Sequence, residues 1–164
     1  MSLTNVLERK SSLATNIDEL SQYIGNTPLF FIKNMVANPR VRIFAKLEWQ
    51  QFGDSVKARP AYEIIYDAIQ QGELTEDKTL VDASSGNTAI AYAHIASRLG
   101  INATICMPEN ASDERKQRIT SLGAGIVYTS ATGSTDEAQE KAASLAKEHP
   151  SKYYYADQYN NPSN

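Results

Sequence analysis

From Val41 to Ala156 the sequence alternates short apolar runs with longer segments that carry a single apolar stripe. Parallel strands need long crossover connections, usually helical, so this alternation predicts an α/β domain with a parallel sheet covered by helices. The strand-like runs are Val41–Leu47, Thr79–Ala83, Asn102–Met107, Gly125–Thr129 and Lys152–Ala156, with a short one before them at Leu29–Ile32. Ala61, Ile64, Ile65, Ala68 and Ile69 form a helical stripe that Gly72 ends. An alanine-rich helix, Ala89–Leu99, stops at Gly100, and another, Ser112–Leu122, stops at Gly123. Asp136–Glu148 turns Ala138, Ala142, Leu145 and Ala146 inward. Asp18–Ile24 reads as a short helix closed by the Gly25-Asn26-Thr27-Pro28 turn, and residues 1–17, polar and aperiodic, as a mobile arm.

With 164 residues the chain can bury one core but is small for a complete two-domain enzyme. A net charge of -3 offers no basic field for nucleic acid or an anionic membrane. Arg115, Lys116 and Arg118, interrupted by acids, read as a solvated helix face. Cys106 is the only cysteine, which excludes an intrachain disulfide and suits a reducing, cytoplasmic setting. It lies in an apolar run and reads as a packed thiol. His94 and His149 with one cysteine make no usual zinc set, so no metal site is expected. No signal-peptide core and no run of membrane-spanning length is evident, so no membrane partner is expected either.

Two strand-to-helix junctions carry the chemistry. In Gln51-Phe52-Gly53-Asp54-Ser55-Val56-Lys57-Ala58-Arg59-Pro60 a loop tips into a helix. Pro60 is tolerated only near a helix start, which puts Lys57 in the first turn. A cation is disfavoured at that end of the helix dipole, and a neutral amine is what a Schiff-base lysine requires. Asp54 opposes this by attracting the cation. On this stretch alone a surface lysine beside a capped helix is the better reading. The second junction, Ser84-Ser85-Gly86-Asn87-Thr88, offers unpaired amides, a glycine that lets an anion approach, and side-chain donors. Residue types leave a carboxylate or phosphate site and plain helix capping equally open. Both junctions lie at strand carboxyl ends, where open α/β sheets collect ligands. The usual nucleotide cradles and the G-x-S-x-G elbow are absent.

Ile24-Gly25-Asn26-Thr27-Pro28-Leu29, Lys46-Leu47-Glu48, Ser55-Val56-Lys57-Ala58-Arg59-Pro60, SSGNT, Met107-Pro108-Glu109 and Gln158-Tyr159-Asn160-Asn161-Pro162-Ser163-Asn164 occur in one order. Together they resemble the cysteine synthase and cystathionine beta-synthase family, fold-type II enzymes that use pyridoxal phosphate. The resemblance runs from about residue 20 to the last. It implies the three-layer parallel-sheet fold of the tryptophan synthase beta-subunit type, here truncated. It implies that Lys57 holds pyridoxal phosphate and moves the alpha proton. It assigns Ser84, Ser85, Gly86, Asn87 and Thr88 to the substrate carboxylate, Asn87 also to the cofactor's ring hydroxyl, and Gln158 to the carboxylate when the smaller domain closes. It implies a small amino-acid substrate and a homodimer in a full-length parent.

The implied reaction is beta-replacement on an activated serine, foremost O-acetylserine with sulfide to give cysteine and acetate. A serine or threonine dehydratase, and a cystathionine or diaminopropionate synthase, share the scaffold. A truncated, non-catalytic binding module is the reading from another class. Family members often carry Asn-Pro-Gly-Gly where this chain has Gln51-Phe52-Gly53-Asp54, aspartate where it has Ala58, and threonine where it has Ser84. The phosphate cup is expected beyond Asn164, so the chain reads as a fragment whose isolated form is inactive. Residues 18–47 then open the larger domain, 48–156 form the smaller α/β domain with Lys57 and SSGNT, and 157–164 are the return segment.

Overall fold

A computed structural model describes residues 3–164, with side chains from Ser12 onward. The chain runs α1 (Leu3–Leu20), β1 (Leu29–Ile32), β2 (Ile43–Lys46), α2 (Ala58–Gln70), β3 (Thr79–Ala83), α3 (Asn87–Leu99), β4 (Asn102–Pro108), α4 (Asp113–Ser121), β5 (Gly125–Thr129), α5 (Ser134–Glu148) and β6 (Tyr153–Tyr155). Strands β5-β4-β3-β6 form a parallel sheet in that order, with Thr79 opposite both Asn102 and Tyr153.

Helices cover both faces of this sheet, so its strands can be apolar throughout. Successive side chains on a strand alternate between faces. Leu80 joins the core under α1, α2 and α3, whereas its neighbours Val81 and Ala83 join Ala138 and Ala142 of α5. Alanines at the inner face of α3 (Ala89, Ala93 and Ala96, all buried) let that helix lie close to the sheet. Gly100 ends α3 in the left-handed region at φ 71°, where glycine avoids the Cβ penalty.

Two expectations fail here. The first concerns the arm: residues 3–20 form α1, and Leu13, Ile17 and Leu20 are buried in the main core. Their i, i+4, i+7 spacing is one helical face, and Tyr62 Oη donates to the Ile17 carbonyl at 3.3 Å. Met1 and Ser2, also assigned to the arm, lie outside the described residues. The short helix expected at Asp18–Ile24 is the end of α1 followed by a 3-10 turn, Ser21–Tyr23.

The second concerns the strand at 41–47, which opens the alternation but not the parallel sheet. As β2 it pairs antiparallel with β1, Leu29 opposite Lys46 and Ile32 opposite Ile43. The connection between them, residues 33–42, holds no helix, and parallel strands need a longer crossover. This two-stranded sheet leaves Leu29, Phe30, Phe31 and Phe44 exposed, with the Phe31 and Phe44 rings 5.1 Å apart.

Replacing Ile17 with alanine is expected to lower the unfolding free energy by about 2–4 kcal/mol, the range for truncating a fully buried isoleucine. Urea denaturation measures it. A change near zero would mean that α1 does not belong to the core.

Candidate functional site

The lysine loop is held by one polar network. Arg59, in the first turn of α2, donates from Nε and Nη2 to both carboxylate oxygens of Glu48, each at 3.0 Å. A planar fork on a carboxylate is the strong geometry for such a pair. Thr27 Oγ1 donates to Glu48 at 2.7 Å and accepts from Arg59 Nη2 at 3.2 Å. Gln51, buried, donates to Glu48 at 2.6 Å and to the Ser55 carbonyl at 3.1 Å, and accepts from the Gly25 amide at 2.8 Å. Lys46 Nζ donates to the Thr27 carbonyl. A Cβ on Gly25 would stand 2.8 Å from Arg59 Nη1, and its φ of 78° also demands glycine. The turn at 25–28, the end of β2 and the start of α2 are thus a single constellation. Arg59 first, then the Thr27 hydroxyl, hold the Glu48 carboxyl down to about 2 from the ordinary 4.5.

Lys57 stands one residue before the first turn of α2, not within it, with its carbonyl accepting from Ala61 at 3.1 Å. Its backbone amide donates to Ser55 Oγ at 3.3 Å. The side chain is exposed, and among the described residues Nζ makes no hydrogen bond or ion pair. The loop before it is seated on α3. Gly53, with φ 89°, would place a Cβ 3.8 Å from Ala91 Cα, and the Phe52 ring meets His94 edge-on at 5.4 Å. Ala91 and His94 are one turn apart on α3.

At the other junction Gly86 precedes α3, which opens at Asn87. Its φ of -122° does not require glycine, and a Cβ there would meet nothing within 4 Å. The space beside it is open. Ser84, buried, is the helix cap: its Oγ accepts from the Gly86 and Ala89 amides at 3.2 and 3.3 Å. Among the described residues the amides of Asn87 and Thr88 have no partner, as expected for the first turn of a helix. Asn87 is exposed and Thr88 buried. Ser84 therefore takes the capping role, and the amides of Asn87 and Thr88 remain free. Gln158 is brought alongside: Nε2 donates to the Ala83 carbonyl at 2.7 Å, immediately before Ser84.

Beneath it lies a buried carboxyl. Asp82 is fully shielded from solvent, accepts from the Ala83 amide at 2.8 Å and from the Gln158 amide at 3.2 Å, and so ties β3 to the return segment. Burial pushes its carboxyl up to about 6, against those two hydrogen bonds. The hydroxyl of Tyr92, buried on α3, interacts with Asp82 without a hydrogen bond of ordinary geometry, and its own ionisation is raised by burial. Cys106 is a packed thiol, as expected, and burial raises it to about 11.

The basic cluster on α4 lies on an exposed helix face, as expected, but its arginines have partners there. Arg118 pairs with Asp54, and Arg115 Nη1 donates to the Ser85 carbonyl at 3.3 Å. The only signals in sequence were their i, i+3 spacing and an acid in the lysine loop; neither says that they meet. Asp54, expected to act on Lys57, has its carboxylate on Arg118. Among the described residues no helix is long and apolar enough to cross a membrane, and no group of acids, histidines and cysteines could hold a metal.

A family profile described as "Pyridoxal-phosphate dependent enzyme" matches residues 20–164. The chain belongs to that family. It is 41% identical over 150 residues to a cysteine synthase of Aquifex aeolicus, covering 90% of this chain and 46% of that protein. It is 35% identical over 139 residues to an O-acetylserine dependent cystathionine beta-synthase of Bacillus subtilis, covering 85% and 45%. Among solved structures, a cysteine synthase of Entamoeba histolytica superimposes with a TM-score of 0.81 at 33% identity, covering 88% of this chain and 44% of that one. The fold is that of these fold-type II enzymes, and the chain spans about half the length of the curated relatives it matches. The site's residues fit the family's cofactor on two grounds: an unpartnered amine on a fixed loop, and an open helix N-terminus on the helix that loop rests on.

The two carboxyls give opposite acid responses. Glu48, depressed, contributes stability that is complete above pH 4.5 and lost as pH falls through about 2. Asp82, raised, makes stability fall as pH rises from its ordinary 3.8 to about 6. Glu48→Gln is expected to flatten the first limb and Asp82→Asn the second, read from urea denaturation across that pH range. Unaltered limbs in either variant would contradict the assigned carboxyl.

Proposed function

We propose that this chain supplies the cofactor lysine and the substrate-carboxylate loop for a pyridoxal-phosphate dependent beta-replacement on an activated serine. The observation that carries it is that the Lys57 loop rests on α3, the helix whose N-terminus presents the free amides of Asn87 and Thr88 beside Gly86. The names of the relatives support O-acetylserine as the substrate. With sulfide, the Cβ–O bond breaks and a Cβ–S bond forms, giving cysteine and acetate.

Lys57 Nζ holds the cofactor and, as the free amine, takes the proton from the substrate Cα. Pyridoxal phosphate, when bound, supplies the sink for the electrons left on Cα. The amides of Asn87 and Thr88, the hydroxyls of Ser85 and Thr88 and the positive end of α3 receive the substrate carboxylate. Ser84 shapes that turn by capping it. The Asn87 side chain, exposed at the same turn, would contact the cofactor's ring hydroxyl. Gln158 Nε2 exchanges the Ala83 carbonyl for the carboxylate when substrate arrives. The Bacillus relative, dependent on O-acetylserine in its name, supports a second reading in which a larger thiol replaces sulfide as the nucleophile.

The test is titration with pyridoxal phosphate, borohydride reduction and peptide mapping. Label confined to the Lys57 peptide and lost in Lys57→Ala is expected. Label scattered over surface lysines, and unchanged in Lys57→Ala, would remove Lys57 from the site.

A further inference from the structure

We infer that α4 is a brace across the site, with Arg118 the positioning residue for the lysine loop and Arg115 the matching hold on the carboxylate loop. Both arginines lie on one face of α4, one turn apart. Arg118 pairs with Asp54, three residues before Lys57, and Arg115 donates to the Ser85 carbonyl, one residue before Gly86. Lys116, between them in sequence, turns away to the Glu109 carbonyl and Asp113. Ile119 is fully buried in the main core, so the helix is itself anchored. The two loops that carry the chemistry are therefore tied to a single rigid element.

Asp54 supplies the independent sign. Its φ is 56°, a left-handed conformation that a side chain disfavours and that glycine would adopt freely. The Asp54 amide donates to the Gln51 carbonyl at 3.0 Å, closing the turn, and the charge pair adds a second hold through side chains that are 53% (Asp54) and 40% (Arg118) exposed. An exposed pair adds little to global stability and is screened by salt. Its effect is instead on how the loop is held. His94, partly buried against Phe52 at the same place, is pushed down first by burial and then by Arg118, with Asp54 opposing.

The brace rests on the reading that the Lys57 loop and the SSGNT turn form one site, and its first test uses no cofactor. Amide hydrogen exchange at residues 53–57 and 85–88 of the free chain is compared for the native protein, Arg118→Met, Arg118→Lys and Asp54→Asn. Arg118→Met and Asp54→Asn are expected to speed exchange roughly two- to fivefold at 53–57, the size an exposed charge pair allows. Arg118→Lys is expected to restore it, and raised salt to reproduce the Met variant in the native protein. Amides of β4 serve as the reference for an intact fold. In the borohydride assay, Arg118→Met should lower the selectivity of labelling for Lys57, and Arg118→Lys should rescue it. Exchange at 53–57 that is indifferent to Arg118→Met, or equally fast in the Lys variant, would overturn the brace. Scattered labelling in the native protein with coupled exchange intact would overturn the catalytic reading and leave the brace standing.

Discussion

The Glu48–Arg59 pair is the interaction on which the site depends. A charged fork on a carboxylate is directional, so it fixes the angle at which α2 leaves the loop and with it the point where Lys57 stands. Thr27 and Gln51 complete the shell: each contacts Glu48 and also grips the backbone or guanidinium of a neighbouring segment. Removing Glu48 would leave the Arg59 guanidinium and the Thr27 and Gln51 donors without the carboxylate on which they converge. The loop thus owes its shape to segments as distant in sequence as Gly25 and Arg59.

A second constraint acts at the end of β3. Asp82 sits in the sheet with no access to water, a place where a carboxylate is expensive unless its oxygens are satisfied. Its partners are the amides of Ala83 and Gln158, so part of the offset to burial comes from the return segment lying against β3. That arrangement sets the Gln158 side chain next to Ser84. The Ala156 amide on the Val81 carbonyl at 3.0 Å continues the same junction. The parallel sheet, the helix N-terminus and the glutamine are one structural unit.

Much of this was legible in the sequence, and the reasons are local. Strands β3, β4 and β5 are apolar runs bounded by turn residues, and Gly72, Gly100 and Gly123 mark helix ends through their positive φ. The helix α1 was missed because its core contacts, Leu13, Ile17 and Leu20, are three positions in a polar stretch, below what a periodicity argument can separate from chance. The pairing of β2 was misread because alternation gives the order of elements, not the sheet each joins. In the site, the motifs were visible as separate runs, but Thr27, Glu48, Gln51 and Arg59 converge only in space. Asp82 and Glu48 stand near loop ends in the sequence, but their partners Gln158 and Arg59 belong to other segments. The arginines of α4 are exposed as their sequence suggests, but their acceptors, Asp54 and the Ser85 carbonyl, belong to other segments and do not show in it.

The most direct measurement of the central claim is a backbone and side-chain amide NMR titration of this chain with O-acetylserine. The account requires saturable shifts that move together at Gly86, Asn87, Thr88 and the Gln158 carboxamide. Shifts that never saturate, or that fall on surface amides while the α3 N-terminus stays still, would contradict it.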